Sequence, residues 1–177
     1  MNTTLSLTKT QTIILLALMA AAAIALRYAE SFIPVAGQFA AKPGLPNIIT
    51  LACLYLFSFK LTALYLAVRM LLTALLFTGL FTPTFFIGTT GAILSLVIMY
   101  AAKRSNLFSI HGVSVAGACA HNTGQLVMAG ILMQSSALFN LWPLIIALSV
   151  PFGLFTGFAA AKLLRALKNT TASLRPL

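Results

Sequence analysis

Six apolar runs fill most of this 177-residue chain and leave it a single acidic residue, Glu30. The runs cover residues 13–33, 45–59, 61–80, 84–102, 113–134 and 141–167. Inside a bilayer every backbone N–H and C=O must be bonded within the protein, and a run of about 20 apolar residues does this as a spanning helix. The pattern predicts an all-α membrane protein: one domain over residues 1–177, built as a bundle of six transmembrane helices. Composition points the same way. The chain is 60% hydrophobic and 7% charged, whereas a soluble domain carries about 25% charge. A disordered chain is excluded with it. The second run is short for a full span and is expected to enter only partway, as short helices do where they line a cavity. Breakers at 34–46, 82–83, 103–112 and 135–140 separate the runs. Ser58-Phe59-Lys60 is a weak boundary, so runs two and three form a tight hairpin.

The formal charge is +10, yet nucleic acid is not the expected partner, because the basic residues sit at the ends of apolar runs. They read as topology signals. With the N-terminus inside, the cytoplasmic segments hold Lys9, Lys60, Lys103, Arg104, Lys162, Arg165, Lys168 and Arg175, and the outer loops hold only Lys42. Both termini are therefore expected in the cytoplasm. Trp142 falls at the outer interface and Tyr100 at the inner one. Ala23-Ile24-Ala25 resembles a signal-peptidase site, but the run continues apolar to Ile33, so an uncleaved first helix is expected. Cys53 and Cys119 lie inside apolar runs and read as small buried hydrophobes, not as a disulfide or metal pair.

Several chemistries are excluded. The chain has no G-x-x-x-x-G-K-[ST], hence no P-loop for ATP. It has no aspartate at all, so magnesium-dependent diphosphate chemistry lacks its carboxylates. His111 and His121 are ten residues apart, which is no metal-ligand spacing. No catalysis, no metal and no cofactor are expected of this chain alone.

Polar residues inside the runs are informative, since a charge in hydrocarbon costs at least about 2.5 kcal/mol and needs a partner or a cavity. Arg69 lies nine residues beyond Lys60, roughly 13 Å into its span at the helical rise per residue. His121 lies nine residues beyond Gly112 and reaches the same depth. Asn122 and Gln125 share a broad face with it. One reading is a polar cavity between the third and fifth helices, with Arg69 anchoring an anionic group and the amides orienting it. The other is an interhelical hydrogen-bond knot. Both stand for Asn122 and Gln125. For Arg69 the cavity reading is preferred, because no carboxylate at its depth neutralises it. His121 reads as a packing or orienting residue.

Arg27 and Glu30 are i,i+3 at the outer end of the first helix, either an interfacial ion pair or a gate latch. The loop that follows carries Lys42, and Pro46 suits the first turn of the second helix. That helix would point its free N–H groups outward, with Lys42 and Asn47 adding donors for an anion. Ala17, Ala21, Ala25 and Ala29 form a small-residue stripe, and Gly153 and Gly157 a G-x-x-x-G. Internal packing is the default for both, and a partner subunit is the alternative for the alanines.

The segments 28–34, 42–51, 66–69, 91–96 and above all 112–125 (Gly-Val-Ser-Val-Ala-Gly-Ala-Cys-Ala-His-Asn-Thr-Gly-Gln) resemble the small bacterial Gx transporter family, often labelled heptaprenyl diphosphate synthase component I. The likeness departs at Pro43 and Pro46. That family is similar to the substrate-binding S components of energy-coupling factor (ECF) transporters. The resemblance implies a six-helix membrane subunit in a bacterial cell membrane that takes a small substrate, anionic or related to isoprenoids and quinones. It implies a transmembrane coupling subunit with ATPases, docked on the stripe from Ala17 to Ala29. The label implies the alternative, a non-catalytic membrane component of a heptaprenyl diphosphate synthase complex. The candidate substrate-binding residues are Arg69, Asn122, Gln125, His121, Asn47 and Lys42, with Arg27 and Glu30 as the gate.

Overall fold

The structure, a computed structural model, describes residues 8–32 and 44–173. It contains six helices: α1 Lys9–Ser31, α2 Pro46–Leu56, α3 Phe59–Thr73, α4 Pro83–Arg104, α5 Ile110–Leu132 and α6 Trp142–Ser173. A π-helical segment, Ala74–Thr78, prolongs α3, and a 3-10 turn, Ser136–Leu141, leads into α6. Among the described residues there is no strand. Helix starts follow local chemistry. The side chains of Thr8, Ser58, Thr82 and Ser109 each accept a first-turn N–H, and Pro46 and Pro83 sit where a missing N–H costs nothing.

The bundle is built around its shortest member. α2 has 11 residues, about 16 Å of helix. It is buried along nearly its whole length, and α1, α3, α4 and α6 all pack on it. A short helix inside an apolar bundle leaves its terminal backbone groups far from water, so other helices must satisfy them. At its start, Glu30 Oε1 accepts from Gly44 N at 2.6 Å and Leu45 N at 3.1 Å. At its end, Lys103 Nζ donates to the Leu54 carbonyl at 2.6 Å and lies over the Tyr55 ring. A carboxylate on the N-terminal side and an ammonium on the C-terminal side both match the helix dipole.

α5 lies between α4 and α6, and glycine permits both contacts. A Cβ on Gly91 would lie 2.7 Å from the His121 carbonyl oxygen, and one on Gly124 3.0 Å from Gly91 Cα. On the other side, a Cβ on Gly153 would lie 2.7 Å from Val115 Cα, and one on Gly157 3.1 Å from His111 Cα. The G-x-x-x-G of α6 is thus internal packing, as expected.

Four segments are long and apolar enough to cross a membrane: Lys9–Ser31, Phe59–Thr78, Pro83–Arg104 and Ser136–Leu167. Large apolar side chains such as Ile14, Leu18, Leu75 and Phe155 stand exposed on their outer faces. The chain is a multi-pass, all-helical membrane protein. Two of the six helices fall outside that set, for two physical reasons. α2 is too short, and α5, although as long as α1, is made less apolar by His121, Asn122 and Gln125.

Candidate functional site

Where α1 and α3 finish and α2 and α4 begin, the helix ends enclose a cavity of about 70 Å³. α1 contributes Arg27 and Glu30, and the start of α2 contributes Gly44, Pro46 and Asn47. Arg69, Met70 and Thr73 enter from α3, with Ala74 and Thr78 from its π-helical extension. Thr84, Phe85 and Gly88 close the α4 side, and His121 and Gln125 reach in from α5.

The electrostatics are lopsided. Arg69 is 5% exposed. Its Nη1 donates to Thr50 Oγ1 at 3.2 Å, and its Nη2 lies 3.5 Å from the weakly accepting Met70 sulfur. Among the described residues the one ion pair is Arg27–Glu30, at 3.0 Å. Glu30 is 2% exposed and is committed to Arg27 and to the N–H groups of Gly44 and Leu45, just ahead of α2. Two guanidiniums and one carboxylate therefore line one cavity, and the buried Arg69 has no counter-charge. Polar capacity nearby is also unspent: Thr89 Oγ1 and His121 Nδ1 are buried without a hydrogen-bond partner. Such groups are rare in native interiors and mark places where a polar guest is welcome.

Arg69, His121, Gln125 and Asn47 line this cavity together with Arg27 and Glu30. Asn122 does not. It is buried between α5 and α6, where its Nδ2 donates to Ser149 Oγ at 2.7 Å. The Gly124–Gly91 contact turns residues 121 and 125 toward α4, and the next residue, about 100° further round the helix, turns toward α6. Asn122 is thus the packing knot. Lys42 lies outside the described residues. The expected free N–H groups at the start of α2 are not free: Asn47 N and Ile48 N donate to the Gly44 and Leu45 carbonyls, and Glu30 takes the Gly44 and Leu45 N–H groups of the turn just before the helix.

Ala17, Ala21, Ala25 and Ala29 are all exposed, while Met19, Ala20 and Ala23 bury the opposite face of α1. Internal packing, the default expectation for that stripe, does not hold. Cys53 is buried and Cys119 half-buried, both as free thiols.

Sequence reasoning missed the π-helical wall, Thr50 and the role of Met70. A π turn inserts a residue and re-aims the side chains around it, and such turns recur at functional sites. Gly79, with φ 76°, ends it by donating to the Ala74 carbonyl at 2.7 Å. The glycine ahead of Thr82-Pro83 was the available signal.

Fold and cavity together define a class: a multi-pass helical membrane protein with a polar, cation-lined chamber near one end of its bundle. Within that class the chain belongs to the family described as heptaprenyl diphosphate synthase component I, which matches residues 19–163 and so takes in every cavity residue. The description names one component of a synthase. No curated protein and no solved structure matches the chain.

Proposed function

We propose that this chain is a substrate-binding integral membrane subunit of a transporter, of the ECF S-component kind, that holds an anionic ligand in the Arg69 cavity. The observation that carries the reading is a buried guanidinium facing a cavity with no carboxylate to neutralise it. A bound anion relieves that cost. In this reading the six-helix bundle sits in a bacterial cell membrane, the short α2 buried among the others, with the Lys9 and Ser173 ends in the cytoplasm. The crowding of Lys9, Lys60, Lys103, Arg104, Lys162 and Arg165 at the corresponding helix ends supports it. The cavity then lies in the outer half, with the Arg27–Glu30 pair as its latch and Lys42 as a cation near its mouth. The exposed stripe from Ala17 to Ala29 is the docking face for a coupling subunit, whose ATPases supply what a chain without a P-loop lacks.

The family description favours a second reading, a non-catalytic membrane component of a heptaprenyl diphosphate synthase complex. Co-purification separates the two. ATPases and a coupling subunit support the first, and a soluble prenyl synthase supports the second.

Native mass spectrometry of the purified protein reads any anion it retains. Arg69→Gln is expected to lower its occupancy by more than about tenfold. Arg69→Lys restores part of it, because the two-pronged fork is lost, and Asn122→Ala leaves it unchanged. Wild-type occupancy in Arg69→Gln makes Arg69 structural and removes the reading.

A further inference from the structure

The Arg69 cavity does not end at its own walls. A second, larger space of about 420 Å³ runs along the seam between α3 and α4. Met70 and Phe85 line both spaces and so form a wall common to the two. Methionine is unbranched and adaptable, a wall that yields easily. The second space is apolar. Ala63, Ala67 and Leu71 form its α3 side, and Ile93, Leu96 and Val97 its α4 side. The small Ala63 and Ala67 create the room. Leu71 is 50% exposed, Ile93 54% and Val97 47%, so the groove opens sideways, onto the surface that faces lipid. Close to the join, Thr89 lines the groove with its buried hydroxyl unpartnered.

We infer that cavity and groove form one site for a single-chain amphiphile, its anionic head on Arg69 and its apolar tail between α3 and α4. The inference rests on the reading of Arg69 as an anion anchor and names the substrate class for it. Size and charge carry it. The polar cavity is well below the roughly 300–1,000 Å³ of ordinary small-molecule sites, while the groove falls within that range. A ligand larger than a compact ionic group must leave the cavity, and the shared wall at Met70 and Phe85 leads into the groove. Charge complementarity selects the head: the cavity carries one guanidinium in excess, and the groove carries no charge at all. A tail that moves from bilayer to groove exchanges one apolar medium for another, so the tail's advantage over a bare anion comes from leaving water, which concentrates the ligand in the bilayer beside the groove. The head therefore discriminates among ligands, and the tail delivers them sideways from the membrane.

The test uses the full chain in phosphatidylcholine nanodiscs and three probes, inorganic phosphate, dodecyl phosphate and dodecanol, with binding read by native mass spectrometry. Dodecyl phosphate is expected to bind once per chain, at least about tenfold more tightly than either other probe. Arg69→Gln removes phosphate and dodecyl phosphate binding alike. Ala67→Trp fills the groove from α3 and Val97→Trp from α4. Both positions are exposed, so the core is untouched, and one of the two folding suffices. Either substitution is expected to abolish the advantage of dodecyl phosphate over inorganic phosphate while inorganic phosphate still binds. If dodecyl phosphate binds no more tightly than phosphate, or keeps its advantage in the tryptophan variants, the amphiphile is overturned and the Arg69 anchor stands. Dodecanol equal to dodecyl phosphate also overturns it, since the head then contributes nothing. If neither phosphate probe binds, or both bind Arg69→Gln as they bind wild type, the Arg69 reading itself fails and takes the amphiphile with it.

Discussion

α4 meets its two neighbours in opposite ways. Toward α5 it packs backbone against backbone, through Gly91 and Gly124, and Ser95 Oγ donates to the Gly117 carbonyl at 2.9 Å. Toward α3 it stands off, and the seam holds a groove of about 420 Å³. Lipid tails are as apolar as leucine, so no hydrophobic force closes a seam within a bilayer; small residues that allow close contact do. The glycine side becomes a firm platform that presents His121 and Gln125 to the cavity. On the α3 side Ala63 and Ala67 point into a seam where the backbones do not touch, and an opening remains.

The largest effect should come from filling the tight seam. In Gly124→Leu the new side chain starts 3.0 Å from Gly91 Cα, and backbone cannot swing aside as a side chain does. We expect a loss of about 3 kcal/mol, read as a lower melting temperature in detergent, together with weakened anion binding as His121 and Gln125 shift. A wild-type melting point would break the contrast. Next in size is Arg69→Met. Replacing an uncompensated buried cation by an apolar chain of similar length should raise stability by about 1–2 kcal/mol and abolish anion binding. A fall in melting temperature would instead make Arg69 a tie between α3 and Thr50 of α2. The smallest effect belongs to the loose seam. Ile93→Ala, at the groove mouth, should change stability by no more than about 0.5 kcal/mol. A loss well beyond that would show the α3–α4 seam to be as closely packed as its counterpart.

Much of the architecture was legible because the forces that set it are local. Each apolar run became a helix, although α6 continues well past its expected end and α3 nears its own only through the π-helical segment, and Thr82-Pro83 and Pro46 marked real starts. Counting from Lys60 and Gly112 placed Arg69 and His121 at one level, and the two residues line one cavity. What failed depended on rotation and reach. Asn122 and Gln125 are only three residues apart, yet α5 has a neighbour on each side and sends one to α6 and the other to the cavity. Lys103 read as a topology signal, but it also caps a helix 49 residues back in the chain. The alanine stripe read as packing by default, and its outward rotation follows from which face of α1 meets α2, a matter no periodicity decides.

The sequence alone determined that this chain is helical, belongs in a membrane, and has neither a P-loop nor the carboxylates for magnesium chemistry. Backbone groups in hydrocarbon leave no alternative to helices, and chemistry without its side chains cannot occur. It also determined that Arg69 would be short of a counter-charge, because one acidic residue cannot serve two arginines. Only the tertiary structure decided how Glu30 is spent. Its carboxylate reaches across a loop to Gly44 and Leu45 while it pairs with Arg27, because the buried start of α2 has no water to satisfy it. That one commitment leaves Arg69 without a counter-charge in the cavity, and Met70, which lines both spaces, sets the cavity beside the open seam.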